Sequence, residues 1–154
     1  MYPITIETFP ATTLAALSHH GSYQEIGPVF TRVFMLAASR GIASPEATGF
    51  GVYFDDPEQV PVDQLRSLAG MSVAPDADLG EGLVRFEIPA CRCAILTYTG
   101  PYNEMNKAYN WMFSAWLPNS GMVPADFPMF EQYVNDPRTT PPAQLQTRIC
   151  MPVK

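Results

Sequence analysis

The sequence repeats itself. Sliding the chain along itself by about 79 to 80 residues brings Pro10-Ala11 onto Pro89-Ala90 and Ala15-Ala16-Leu17 onto Ala94-Ile95-Leu96. Gly21-Ser22-Tyr23-Gln24-Glu25 falls on Gly100-Pro101-Tyr102-Asn103-Glu104, and Phe34 on Phe113. After a one-residue slip, Phe50, Tyr53, Asp56 and Pro57 meet Phe130, Tyr133, Asp136 and Pro137. Pro61, Gln64, Leu65, Met71 and Val73 then meet Pro141, Gln144, Leu145, Met151 and Val153. Repetition at a fixed period points to one supersecondary unit used twice. Half of a 154-residue chain is too small to close a substantial core alone, so the repeats, about 1–78 and 79–154, are expected to share a single domain spanning 1–154.

The expected elements follow the repeat. Ile4 to Glu7, Leu14 to Ser18, Val84 to Ile88 and Cys91 to Thr97 read as strands, with Pro10 and Pro89 breaking each stretch at a turn. Ser22 stands three residues before Glu25, a capping-box spacing, and Ile26, Phe30, Val33, Phe34 and Ala37 follow at helical period to Gly41. The second helix is expected to open at Pro101, to carry Met105, Tyr109, Met112, Phe113 and Trp116 inward, and to stop across 117–121. Each helix is followed by a strand (Gly49 to Phe54; Phe127 to Val134), an Asp-Pro turn and a last strand (Leu65 to Val73; Leu145 to Val153). Two strand–helix–strand–strand modules give an α+β fold. Its sheet is mainly antiparallel, its two main helices lie on one face about a pseudo-twofold axis, and the ligand cleft lies between the helices.

Composition excludes several functions. Charged residues are only 16%, the net charge is −6, and no Lys/Arg cluster occurs, so a nucleic-acid backbone is a poor partner. No segment reaches membrane-spanning length, and the opening residues lack a signal-peptide pattern. Three cysteines without scaffold spacing fit a reduced cytoplasmic protein. The sixteen prolines are scattered through apolar segments, which favours many short elements over a disordered tract.

The halves differ most in their middle strands. By alternation Phe127, Met129, Glu131 and Tyr133 share one face, matched by Gly49, Gly51, Tyr53 and Asp55 in the first half. A carboxylate therefore stands where the first half has Gly51, and the two glycines are expected to open space above the sheet. An isolated carboxylate is costly to remove from water, and a cationic ligand would remove that penalty. Each aromatic face adds roughly 0.5 to 2 kcal/mol of cation–π attraction. Flat, apolar, positively charged small molecules are the natural guests. The same alternation also fits Glu131 pointing to solvent, since Phe130 and Phe50 make the opposite face apolar too.

The helices add candidates. Tyr109 falls on the inward arc and its hydroxyl needs a partner, while Phe30 is a core or cleft-wall residue of the first helix. Trp111 falls about 200° from Tyr109 and is expected outward, toward a partner surface or only secondarily a ligand. Cys91, Cys93 and Cys150 suit a core more than a metal, and His19-His20 read as surface imidazoles. No phosphate-binding loop or nucleophile elbow is present, and no cofactor is expected.

Taken together, Gly51-Val52-Tyr53-Phe54-Asp55-Asp56-Pro57 with Pro61 and Asp63-Gln64-Leu65-Arg66 resembles the first-half signature of the GyrI-like domain. Pro128-Met129-Phe130-Glu131-Gln132-Tyr133 resembles its second-half Pro-x-Phe-Glu-x-Tyr strand, and Gly100-Pro101-Tyr102 and Met151-Pro152-Val153 fit as well. The resemblance implies a bacterial protein built as a pair of strand–helix–strand–strand modules around a ligand cleft, with the family's central acidic residue at Glu131. Many members carry Trp where this chain has Tyr109. The family includes gyrase inhibitory proteins, effector-binding domains of AraC-type and multidrug-responsive regulators, and stand-alone binders, some of which hydrolyse cyclopropanoid compounds. No helix-turn-helix segment precedes Tyr2, so a complete regulator is not expected.

Three readings follow. The first is a stand-alone module for sensing or sequestering hydrophobic, aromatic or cationic small molecules, with Glu131 as counter-charge and Tyr53, Tyr109, Tyr133, Phe30 and Trp111 as ligand-binding residues. The second is a hydrolase of cyclopropanoid-type molecules with Glu131 as catalytic general base. The third is a gyrase inhibitory protein acting through protein–protein contact, gyrase or a regulator being the partner.

Overall fold

The computed structural model describes residues 2–154. Eight strands run β1 (Ile4–Phe9), β2 (Thr12–His20), β3 (Gly49–Tyr53), β4 (Arg66–Val73), β5 (Val84–Ile88), β6 (Cys91–Thr99), β7 (Met129–Tyr133) and β8 (Gln146–Pro152). Helix α1 (Gly27–Ser39) follows β2, while α2 (Asn106–Trp111) and α3 (Leu117–Ser120) lie between β6 and β7. The fold is α+β, and every strand pairing described below is antiparallel.

Two compact units result: Pro10–Ala90, and the segment ending at Phe9 together with Cys91–Lys154. In the first, the sheet order is β5-β2-β4-β3. In the second it is β1-β6-β8-β7. The units divide at 9/10 and 90/91, whereas the sequence repeat divides near 78. Consecutive strands β1 and β2 do not pair with each other. Ile4 faces Leu96 in β6 within one unit, and Thr12 faces Ile88 in β5 within the other. Pro10 and Pro89 fall between strands, where their missing N–H groups cost no ladder bond.

Helix α1 is entered through a turn at Tyr23–Glu25, where the Ser22 hydroxyl accepts from the Gln24 N–H at 3.2 Å. Ser22 thus caps this turn, not the helix itself. Val29, Val33 and Ala37, four apart, are buried against Ala15 of β2, Ala69 and Met71 of β4, and Leu79 and Leu83. Gly41, at φ +70°, ends the helix.

The second helical stretch differs from the expected single helix. Pro101 is extended and precedes a turn at Tyr102–Glu104, with α2 starting after it. Gly100 has φ +146°, and a Cβ there would sit 2.8 Å from the Tyr98 hydroxyl, which donates to the Pro101 carbonyl at 2.7 Å. After α2, Met112–Trp116 forms a π-turn before α3, and Gly121 at φ +73° closes the helix. The wider π-turn shifts the phase of the apolar stripe. Met105 and Met112 are buried as expected and Ala108 is buried beside them, but Phe113 is turned out, 44% exposed. Met105, Ala108 and Met112 pack on Ala94, Leu96 and Tyr98 of β6 and on Ile149 and Met151 of β8.

Candidate functional site

The site is set by β7. Phe130 lies edge-on to Phe9, ring centroids 5.1 Å apart, on one face of the sheet. Alternation then turns Glu131 to the other face, directly across from the fully buried Ile149. Met129, two residues earlier, packs with the helix-side cluster. Glu131 is only 7% exposed, so the solvent-facing alternative is excluded.

A carboxylate in such surroundings needs donors, and the neighbouring elements supply them. Tyr133, on the same face, donates its hydroxyl to Glu131 Oε1 at 2.8 Å. Tyr109, from α2, donates to Oε2. One phenol O–H thus reaches each of the two carboxylate oxygens. The phenols satisfy hydrogen bonding but carry no positive charge.

A further aromatic belongs here. The Tyr102 ring lies 5.6 Å from that of Tyr133, and its phenol pKa is pushed above the usual value, first by burial and then by the Glu131 charge. Sequence reasoning took Gly100-Pro101-Tyr102 only as a helix start. The signal that could have found Tyr102 is its repeat partner Tyr23, beside Tyr53 at 4.9 Å.

The remaining candidates make contacts within their own units. Trp111, expected outward, packs against the helix-side cluster and edge-on to Tyr2 at 5.5 Å. It lies only 60° around the helix from the buried Ala108, enough for a large indole to reach inward. Tyr53 and Phe30 belong to the Pro10–Ala90 unit, Tyr53 against Tyr23 and Phe30 against Phe34 at 6.1 Å. His19 Nε2 is 2.9 Å from the Ser22 carbonyl, part of the turn that leads into α1. Cys91 and Cys93 Sγ atoms are 3.5 Å apart, and burial pushes the Cys93 thiol up to about 12 and Cys150 higher still. Neither of the two buried thiols is a thiolate at neutral pH. Among the described residues no three His, Cys, Asp or Glu side chains are arranged to hold a metal ion. The Asp-Pro turns are built by Asp56 and Asp136, whose carboxylates accept from the Glu58 and Arg138 N–H groups.

The family model for the GyrI-like small molecule binding domain matches residues 2–154. The chain belongs to the GyrI-like family. A protein from Edwardsiella piscicida named DNA gyrase inhibitor is 27% identical over 142 residues, covering 89% of this chain and 90% of that protein. A DNA gyrase inhibitor from Erwinia billingiae is 35% identical over 89 residues, a match spanning 56% of this chain and 57% of the relative. Among solved structures, the EcmrR C-terminal domain superposes with a TM-score of 0.80 at 20% identity, over 100% of this chain and 98% of that one. SAV2435 bound to tetraphenylphosphonium superposes with a TM-score of 0.67 at 13% identity, over 99% and 94%. These structures establish the likeness of fold. No helix among the described residues is long and apolar enough to cross a membrane.

Proposed function

We propose that this GyrI-like domain captures hydrophobic, aromatic cations, with Glu131 as counter-charge and Tyr109, Tyr133 and Tyr102 as walls. The observation that carries this reading is the Glu131 carboxylate itself, almost wholly buried and hydrogen-bonded by the Tyr109 and Tyr133 phenols. A delocalised aromatic cation meets it at low desolvation cost and gains from the ring faces. The structural relative bound to tetraphenylphosphonium supports that ligand chemistry. Sensing or sequestration, in which binding is the whole activity, follows from such a site. The near-coincidence of the two halves in sequence supports an origin by duplication, with only one half carrying the carboxylate.

Calorimetric titration with tetraphenylphosphonium tests the reading. Wild type is expected to bind, and Glu131→Gln to bind at least tenfold more weakly, a loss of about 1.4 kcal/mol or more. Equal affinity in the two proteins would remove the counter-charge role.

A second reading, inhibition of gyrase by protein contact, is favoured by the names of the relatives. A gyrase supercoiling assay decides it. Inhibition that survives Glu131→Gln would place the activity on the surface, independent of the recess, and full supercoiling at excess protein would exclude it.

A further inference from the structure

Two buried hydroxyls, Ser67 and Thr147, have no hydrogen-bond partner in the protein among the described residues. They are not scattered. Ser67 of β4 lies directly across from Tyr53, and Thr147 of β8 directly across from Tyr133. Thr147 is fully buried, and its other cross-strand neighbour is Tyr98 of β6. Residues opposite one another point to the same face, so Thr147 shares the face of Glu131 and stands between two tyrosines. Tyr98 is committed to the Pro101 carbonyl and Tyr133 to Glu131. A buried hydroxyl left unpaired is destabilising, whereas a valine of the same shape would not be. Its presence beside the recess calls for a partner from outside the chain.

We propose that Thr147 is a hydrogen-bonding subsite of the Glu131 recess, reading a hydroxyl or amino group carried on the aromatic body of a cationic ligand. The inference rests on the cation-binding reading and adds a second, uncharged determinant to it. Tyr133 is only partly buried, and Tyr102, whose ring lies 5.6 Å from it, is 38% exposed, so these rings face the solvent boundary. An aromatic cation that takes over the Glu131 charge competes with the Tyr133 hydroxyl for Oε1. A shift of the Tyr133 hydroxyl off Oε1, with its ring still lining the ligand, opens the Thr147 hydroxyl, which can then donate to or accept from the ligand. The carboxylate selects charge and the threonine selects the substituent.

The test is a matched pair of probes, tetraphenylphosphonium and (4-hydroxyphenyl)triphenylphosphonium, titrated into wild type, Thr147→Val and Thr147→Ser. Wild type is expected to hold the hydroxylated cation about five- to tenfold more tightly, the size of one net hydrogen bond. Thr147→Val should bind both alike, and Thr147→Ser should restore the preference. The ligand-free Thr147→Val protein should melt no lower than wild type. A preference that persists in Thr147→Val, equal binding of both probes by wild type, or a lowered melting temperature in Thr147→Val would each overturn the subsite and leave the counter-charge reading standing. Failure of wild type to bind either probe overturns both.

Discussion

At the scale of single residues, Glu131 and its phenols hold different kinds of energy. The two hydroxyls make burial of the carboxylate tolerable, and the carboxylate supplies the charge. Tyr109→Phe removes a donor to a buried anion and should cost about 2 kcal/mol, which lowers the melting temperature by roughly 4–8 °C in a chain of this size. Its ligand-induced stabilisation by tetraphenylphosphonium should be retained or enlarged, because the phenol no longer competes for Oε2. In Glu131→Gln that stabilisation should shrink by about 1.4 kcal/mol or more at saturating cation. Thermal melts with and without the cation separate the two behaviours, and a Tyr109→Phe protein that loses its ligand response would mean the phenol itself holds the guest. Alternation along Pro128-Met129-Phe130-Glu131-Gln132-Tyr133 was enough to pair Glu131 with Tyr133, and helical spacing enough to bring in Tyr109. Tyr102 and Thr147 were not legible. One sits in a short turn with no periodicity, and the other is apolar in pattern and polar only in its hydroxyl.

At the scale of elements, the strands follow from alternation and turn chemistry to within about two residues at each end, since proline and glycine stand near their ends. The second helix does not. A stripe drawn at 100° per residue assumes one hydrogen-bond pattern throughout, and the π-turn at Met112–Trp116 breaks that assumption. The consequence is measurable. Met112 is fully buried, so Met112→Ala should cost about 2–5 kcal/mol. Phe113→Ser, at an exposed ring, should change stability by less than about 0.5 kcal/mol. Urea titrations of the two variants check the phase directly, and a destabilised Phe113→Ser with a neutral Met112→Ala would restore the regular helix. The exchange of first strands also lay beyond the pattern: β1 and β5 are edge strands of their units, and nothing in their alternation names the partner.

At the scale of the whole molecule, charge and recess act over different distances. Among the described residues Glu7 pairs with Arg148, Asp55 with Arg66, Glu104 with Lys107 and Asp136 with Arg138, yet the chain keeps a net charge of −6. Such a surplus attracts any cation before contact, and salt screens it over a Debye length of about 10 Å at 0.1 M, shrinking to about 3 Å at 1 M. Glu131 is one carboxylate among fifteen acidic residues and is almost wholly buried, so it adds little to that long-range field. Its effect begins once the ligand is seated. The association rate of tetraphenylphosphonium should therefore fall severalfold between low and high salt in wild type and Glu131→Gln alike. The dissociation rate should hardly depend on salt and should rise tenfold or more in Glu131→Gln, carrying the whole affinity loss. Stopped-flow quenching of intrinsic fluorescence resolves the two rates. An association rate that drops in Glu131→Gln and ignores salt would mean that a single buried charge, and not the acidic surface, gathers the ligand.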